Sequence, residues 1–442
     1  MTYNGYVLEQ ASVSGVLTKT LGRRRVPRRS ITAWGGAILL FGAIASSAFA
    51  QFKDDRFETV QVVQAADVLP AYLYRSAHYR VLDDVRVREN TFIFQVEGGE
   101  SSFTVASTPL LRTRLKELTV LAQAVAQFNV RNEALGAQLR GTLNVRGRSF
   151  GAIIASPLST AANLAGQLSR NVQETLGAEV EREQVSRPPP GIDKSDPVAA
   201  AHRRNIASQL SLDVYSTNPQ VQRFLNAVVR AREAGDVGAG ISLLTTPFPA
   251  GMQVAGGAMA SNVDALVRQL SAAEVNSAVT EELMRMGIGE PAVRRFVSNS
   301  AMSPRHRLTI AAHLDFLGPL EGRQVLIDAA NGARTETEAL AYQEMVRMFA
   351  HYHESHPIRG FVVSAGLPGA LDGRGNLVLA LPVDLVIWDE AMKVAAGRLS
   401  ALKARRKLRN IMLLTIGQAT ALTRRALGQQ GIELAERYME NK

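Results

Sequence analysis

Between residues 57 and 107, apolar and polar side chains alternate with a period of two. "HYRVLDDVRVREN" and "TFIFQVEG" carry the alternation, and "SSFTVAS" resumes it after a Gly-Gly-Glu turn, which predicts a β-meander. In its middle strand Phe92, Phe94 and Val96 are expected on one face, with Thr91, Ile93, Gln95 and Glu97 on the other. From Pro109 the period becomes helical. "PLLRTRLKELTVLAQAVAQFN" puts Leu111, Leu115, Leu118, Leu121 and Val125 on one stripe, suited to packing on the sheet.

Two runs carry no charge, residues 149–169 and Val237–Val263. Both hold proline and many small residues, so they predict close internal packing in preference to membrane-spanning helices. Between them "EVEREQVSRPPPGIDKSDP" has linker composition, with Pro188, Pro189 and Pro190 stiffening an extended backbone.

From there to about residue 356 the pattern is helical. Helix starts are expected at Ser195 with Pro197, at Asn218-Pro219, at the Ser271–Glu274 capping box and at Ser303-Pro304; stops are expected at Gly235 and Gly318. "RTETEALAYQEMVRMFAHYHES" is the longest helix of this region, and no constant repeat period runs through it. The last part is mixed. "IRGFVVSAG" and "GNLVLALPVDLVIW" flank an Asp372-Gly373-Arg374-Gly375 turn, a hairpin signal. A helix follows from Asp389, then "NIMLLTIG" as a buried strand and "QATALTRRALGQQG" as a helix. The turn at Gly417 between those two could present backbone N–H groups to an anion, but with a single glycine and no Walker or G-x-G-x-x-G pattern the favoured reading is a tight turn.

These transitions divide the chain into a leader at residues 1–50, an N-terminal α+β domain over 51–186, a Pro-rich linker at 187–197, a helical domain over 198–356 and a C-terminal α+β domain over 357–442. The expected fold class is α+β: a small N-terminal β-meander plus helix, an all-α middle region and a C-terminal α+β region.

The leader sets the expected address. "RRRVPRRSITAWGGAILLFGAIASSAFA" has a basic cluster, a short apolar run and Ala48-Phe49-Ala50, the pattern of a cleavable signal peptide with the cut after Ala50. Arg28-Arg29-Ser30-Ile31 matches a twin-arginine signal in part, and general secretory export fits the segment better. With no cysteine anywhere, neither disulfides nor thiolate chemistry is available. The expectation is a periplasmic or secreted bacterial protein whose mature chain has no transmembrane segment.

Net charge adds a second constraint. The chain carries +10, but the leader's six Lys/Arg against Glu9 account for half of it, and residues 398–442 hold ten Lys/Arg against three glutamates. Basicity belongs to the C-terminal tail. The run "LKARRKLRN" (Lys403, Arg405, Arg406, Lys407 and Arg409) is the candidate for contact with an anionic lipid surface or a cell-wall polymer, against the plainer reading of a solvated helix face. It has no interleaved aromatics for stacking on bases, and no nucleic-acid partner is expected.

The candidate chemistry lies in "HYHESHP". His351 and His353 point about 200° apart on a regular helix, whereas His353 and His356 can share a face, with Glu354 between them. His353, His356 and Glu354 are the candidate zinc-site residues of a metal-dependent hydrolase, the two histidines as ligands and Glu354 beside them, with a third ligand such as His306 or His313 needed from elsewhere. The spacing falls one residue short of H-E-x-x-H, and Pro357 turns the chain away from helix, so the plainer reading is a helix end needing no cofactor. Asp83-Asp84 point to opposite faces of a strand. Asp384, interrupting the apolar run "LPVDLVIW", is a candidate buried acid with a perturbed pKa, against the plainer reading of a structural ion pair, for example with an arginine of the following helix; Asp328 is weighed in the same way. The functional expectation is a non-catalytic envelope module for binding or assembly, with another envelope protein, a lipid surface or a wall polymer as partner. The alternatives are the metal-dependent hydrolase and a peripheral membrane-associated protein.

Overall fold

The period-two segments form one antiparallel sheet because each strand has an apolar face to bury. In the computed structural model, which describes residues 57–98, 101–131, 197–233 and 257–439, its strands are β1 (Val62–Gln64), β2 (Arg80–Val81), β3 (Asp84–Arg88), β4 (Thr91–Gly98) and β5 (Ser101–Ala106). β3 and β2 pair with successive stretches of β4, and β5 lies along the other side of β4. Two short helical turns, α1 (Ala65–Val68) and α2 (Ala71–Tyr74), connect β1 to β2. Phe92, Phe94 and Val96 do point into the core beneath the sheet, with Val81, Val85, Phe103 and Val105. The opposite face is not wet at its start, since Thr91 and Ile93 are buried too. There the β3–β4 turn, with Glu89 and Asn90 both at positive φ, docks under a later segment. Asn90 O accepts the N–H groups of Asp384 and Leu385, and Asn90 Oδ1 accepts that of Ile387.

Helix α3 (Thr108–Arg131) belongs to two cores. Leu111 and Leu115 pack under the sheet, whereas Val120, Leu121, Ala124 and Val125 join the main helical core. The expected stripe is present, but its two halves serve different layers.

The helical region contains α4 (Pro197–Gln209), α5 (Pro219–Glu233), α6 (Gly257–Gln269), α7 (Ala272–Arg285), α8 (Glu290–Ser298), α9 (Pro304–Phe316), α10 (Gln324–Ala330) and α11 (Glu336–Ser355). Its start signals act as anticipated. Ser271 and Glu274 form a reciprocal capping box, and Ser303 does the same with His306 as its distal partner. Pro197 and Pro219 open their helices, and Gly318 follows α9 at φ +75°. The leader, the charge-free run 149–169, the linker prolines and most of Val237–Val263 lie outside the described residues.

The second sheet has the order β12-β10-β8-β7-β6. β6 (Ile358–Ser364), β7 (Leu367–Asp372) and β8 (Asn376–Leu381) are antiparallel neighbours; β10 (Asn410–Thr415) runs parallel to β8, and β12 (Ile432–Ala435) parallel to β10. Helices α12 (Glu390–Arg406) and α13 (Ala421–Gln429) make the two crossovers. A small parallel pair, β9 (Leu385–Val386) with β11 (Gln418–Ala419), continues beyond the strand ends. One face of the sheet (Phe361, Ala370, Val378, Ala380, Leu414) packs on the helical core. The other (Leu367, Leu377, Leu379, Ile411, Leu413) packs under α12 and α13. Burial on both faces explains why "NLVLAL" and "NIMLLT" read as continuous apolar runs.

Here the structure adds to the sequence reading. The turn at Asp372–Gly375 joins β7 to β8, and a second tight turn at Ala365-Gly366, both at positive φ, joins β6 to β7. β7 was not anticipated because Pro368, Gly369 and Ala370 are poor strand formers. Gly369 has a packing reason: a Cβ there would meet the Leu377 and Leu379 side chains at 3.0 Å. β12, four residues long, was also missed. The described residues fall in one compact unit, Arg56–Lys442. Leu340, Leu385 and Ile387 share the N-terminal core, so the last part of the chain helps to close the first.

Candidate functional site

The histidine segment is the C-terminal turn of α11, and its cap is His356, whose N–H donates to Tyr352 O. The buried Tyr352 hydroxyl donates to Asp372 Oδ2 at 2.9 Å, and the His356 ring stacks on the Tyr352 ring at 4.7 Å. His356 Nδ1 lies 2.9 Å from Ser355 Oγ. His353 Nδ1 accepts the N–H of Ile358 at 3.0 Å, fixing the exit of the chain into β6. Glu354 pairs with His351 at 3.1 Å, and the His351 ring meets Tyr438 edge-on. Each imidazole thus has its own local partner. Among the described residues no group of three or more His, Cys, Asp or Glu is arranged to hold a metal ion. His306 and His313 are buried within α9. His306 Nδ1 accepts the Ser303 N–H, and His313 Nδ1 lies 2.8 Å from Thr309 O. Burial, with Arg305, Arg307 and Arg114 nearby, drives the His306 imidazole down to about 3; burial also lowers His313.

The basic run is the last turn of α12 and the link into β10, and the fold gives it company from elsewhere in the sequence. Lys407 takes a left-handed conformation as the helix cap. Two residues on, the Arg409 N–H donates to Gly375 O in the β7–β8 turn. In the same turn Gly373 N–H donates to Pro357 O, and a Cβ on Gly373 would lie 3.7 Å from Arg359 Nε. One end of the second sheet therefore collects the start of β6 with Arg359, the β7–β8 turn with Arg374, the start of β10 with Arg409, and the α12 end with Arg405, Arg406 and Lys407. All six side chains are exposed, and none of them forms an ion pair among the described residues. Lys403 differs from the rest of its run: its ammonium donates inward to Asn410 Oδ1 and Gly431 O.

The turn's own carboxylate does not neutralise this end. Asp372 is buried, accepting from the backbone N–H groups of Arg374 and Asn376, from Asn376 Nδ2 and from Tyr352. Burial pushes this group up, but those hydrogen bonds together hold it below the usual carboxylate range. The histidine-bearing helix end joins β6 at the same end of the sheet, so two candidate segments about fifty residues apart become neighbours through the turn between β7 and β8.

Two buried charge systems were not legible as such. Arg114, 2% exposed, pairs with Glu117 at 3.0 Å and Glu336 at 2.5 Å and donates to Thr217 Oγ1 at 2.7 Å. Ser216 and Asn218 donate to the Glu117 carboxylate. These residues fasten α3 to the α4–α5 loop and to the start of α11. The only hint in the sequence was charge on an otherwise apolar helix stripe. Burial alone would lower the Arg114 guanidinium, but Glu336 and Glu117 raise it, so its charge is held.

Asp384 is buried as expected, but its partner is not an arginine of the following helix. Its two oxygens accept the N–H of Phe92 and the N–H of Thr108, each at 2.9 Å. Thr108 opens α3, so Asp384 caps that helix from a distant part of the chain. Burial raises the carboxyl, against the pull of those two backbone N–H groups. Gly417 packs on the Asp384 backbone, which makes it a close-approach glycine, and the N–H groups of Gly417 and Gln418 donate to Val383 O and Asp384 O, so the turn does not present them to an anion. Asp328 keeps an exposed pairing with Arg295 at 3.5 Å. Asp83 faces Arg80, and Asp84 accepts from Gln64 Nε2. Among the described residues no helix is long and apolar enough to cross a membrane.

No protein-family model matches the chain, and neither a curated protein nor a solved structure matches it.

Proposed function

We propose that this is an exported protein of the bacterial envelope that acts as a non-catalytic binding or assembly module, and that the basic end of the second sheet is its contact face for an anionic partner. The observation that carries this reading is the convergence of six exposed Arg and Lys side chains from three separate chain segments with no ion-pair partner among the described residues. Buried acids and histidines elsewhere are engaged in caps, turns and ion pairs, whereas these cations are presented outward. Like charges held close together raise the local potential, which an anionic partner relieves. The leader pattern with its cut after Ala50 supports the envelope address.

The test has two arms. N-terminal sequencing of the chain recovered from fractionated cells should give Gln51 in the periplasmic or secreted fraction; recovery of the uncut chain in the cytoplasm would overturn the address. On a sulfated polysaccharide matrix the wild-type chain should be retained, and R374Q/R405Q/R406Q/R409Q should elute at markedly lower salt. Identical elution of the two would overturn the contact face.

A further inference from the structure

Resting on that contact face, we infer that its partner is the phosphate layer of an anionic phospholipid bilayer, met by the end of the second sheet. The six cations come from three chain segments gathered at one end of the sheet. They sit on tips: the start of a strand, the apex of a turn and the end of a helix. Arg359, Arg374 and Arg409 follow the row β6, β7–β8, β10. Strand spacing of roughly 4.8 Å makes that row about 14 Å long. Arg405, Arg406 and Lys407 extend it over the sheet face covered by α12. Charges this close act together, because the screening length at physiological salt is about 8 Å.

Five of the six cations are arginine, whose planar fork matches phosphate oxygens two at a time. No aromatic side chain lies among residues 403–409 or in the Asp372–Gly375 turn, so stacking on single-stranded nucleic acid has no platform there. Nor do those segments present a large apolar side chain for deep insertion, which makes the contact interfacial, electrostatic and reversible. The acids at the flanks are few. Glu354 is paired with His351, Glu321 lies beside Gly360, and Glu433 is exposed on β12. The carboxylate inside the turn, Asp372, is turned inward. Where the wild-type chain differs from a merely solvated basic helix is in Arg359 and Arg374, which only the fold adds to the run at 403–409.

The experiment is co-sedimentation of the purified full-length chain with vesicles of equal parts phosphatidylglycerol and phosphatidylcholine, or of phosphatidylcholine alone, at about 0.1 M salt. The basic residues of the leader are common to every protein compared. The wild type should partition onto the anionic vesicles only, and raising chloride should release it. Inorganic phosphate at equal ionic strength should release no more, since the site reads a surface and not a free anion. Each Arg→Gln change should lower the partition about fivefold, and R359Q/R374Q/R405Q/R406Q/R409Q more than about a thousandfold. R86Q/R88Q/R230Q/R268Q, which removes four exposed cations elsewhere, should bind as the wild type does.

Equal binding by the five-fold variant, or equal loss in the control variant, overturns the inference. Specific release by phosphate also overturns it, pointing to a small-anion site. Retention on the sulfated matrix without vesicle binding overturns the lipid partner and leaves the contact face standing; loss of both overturns the two together. Should the five-fold variant melt early, R405Q/R406Q on the exposed helix end gives the same decision with an expected loss of about 25-fold.

Discussion

Removing the Asp384 carboxylate should loosen the joint between the two ends of the chain. In Asp384→Ala the buried N–H of Phe92 and the part-buried N–H of Thr108 lose their acceptor. Each buried, unpaired donor costs about 1–3 kcal/mol, so the gross loss is about 2–6 kcal/mol. Relief of a carboxyl whose own burial is unfavourable offsets part of this, and the net expectation is a loss of about 3 kcal/mol. Asp384→Asn keeps one acceptor and turns an amide N–H₂ toward the other donor, so it should lose about 2 kcal/mol. The assay is urea denaturation at neutral pH, joined with native-state amide exchange. The Phe92 and Thr108 amides should lose protection in both variants before the β8 and β10 amides do. The ion-pair alternative makes a different demand: Arg398→Gln, on the helix that follows Asp384, would then cost as much. A loss below about 1 kcal/mol in Asp384→Ala, or an equal loss in Arg398→Gln, would refute the capping argument.

Three further outcomes follow from the interior of the fold. Arg114→Met should destabilise by about 3–5 kcal/mol because it leaves Glu117 and Glu336 facing each other without their cation. R114M/E117Q/E336Q should recover part of that loss, and a double-mutant cycle in urea melts that shows simple additivity would sink the network. The His306 imidazole titrates near its ordinary value of 6.5 when unfolded and at about 3 when folded, so the unfolded chain binds the extra proton. Stability from this group is full above about pH 6.5 and is lost as pH falls toward 3, at up to about 1.4 kcal/mol per pH unit. His306→Gln retains the capping-box geometry and should flatten that slope; an unchanged profile contradicts the assignment. Gly417→Ala places a methyl group 1.9 Å from Asp384 O, against backbone and not a movable side chain, and should cost more than about 3 kcal/mol in a thermal melt.

Local pattern determined the elements and most of their ends. The alternation over β3 and β4, the capping pairs at Ser271 and Ser303, Pro219 and Gly318 each depend on nearest neighbours along the chain, which a sequence displays directly. β12 escaped because it is only four residues long, and β7 because Pro368, Gly369 and Ala370 are poor strand formers. Gly369 looks like a strand breaker until the leucines of β8 are seen lying over it.

The candidate site was legible only in part. The run at 403–409 could be seen, but not that Lys403 turns inward, nor that Arg359 and Arg374 stand beside Arg409. That neighbourhood depends on β10 pairing with β8 across the α12 crossover, a long-range contact that leaves no period in the sequence. The same holds for Asp384. Its burial could be inferred from the apolar residues around it, because burial is a local average. Its partners, the amides of Phe92 and Thr108, could not, because backbone donors are alike at every position and only the tertiary fold decides which of them a carboxylate meets.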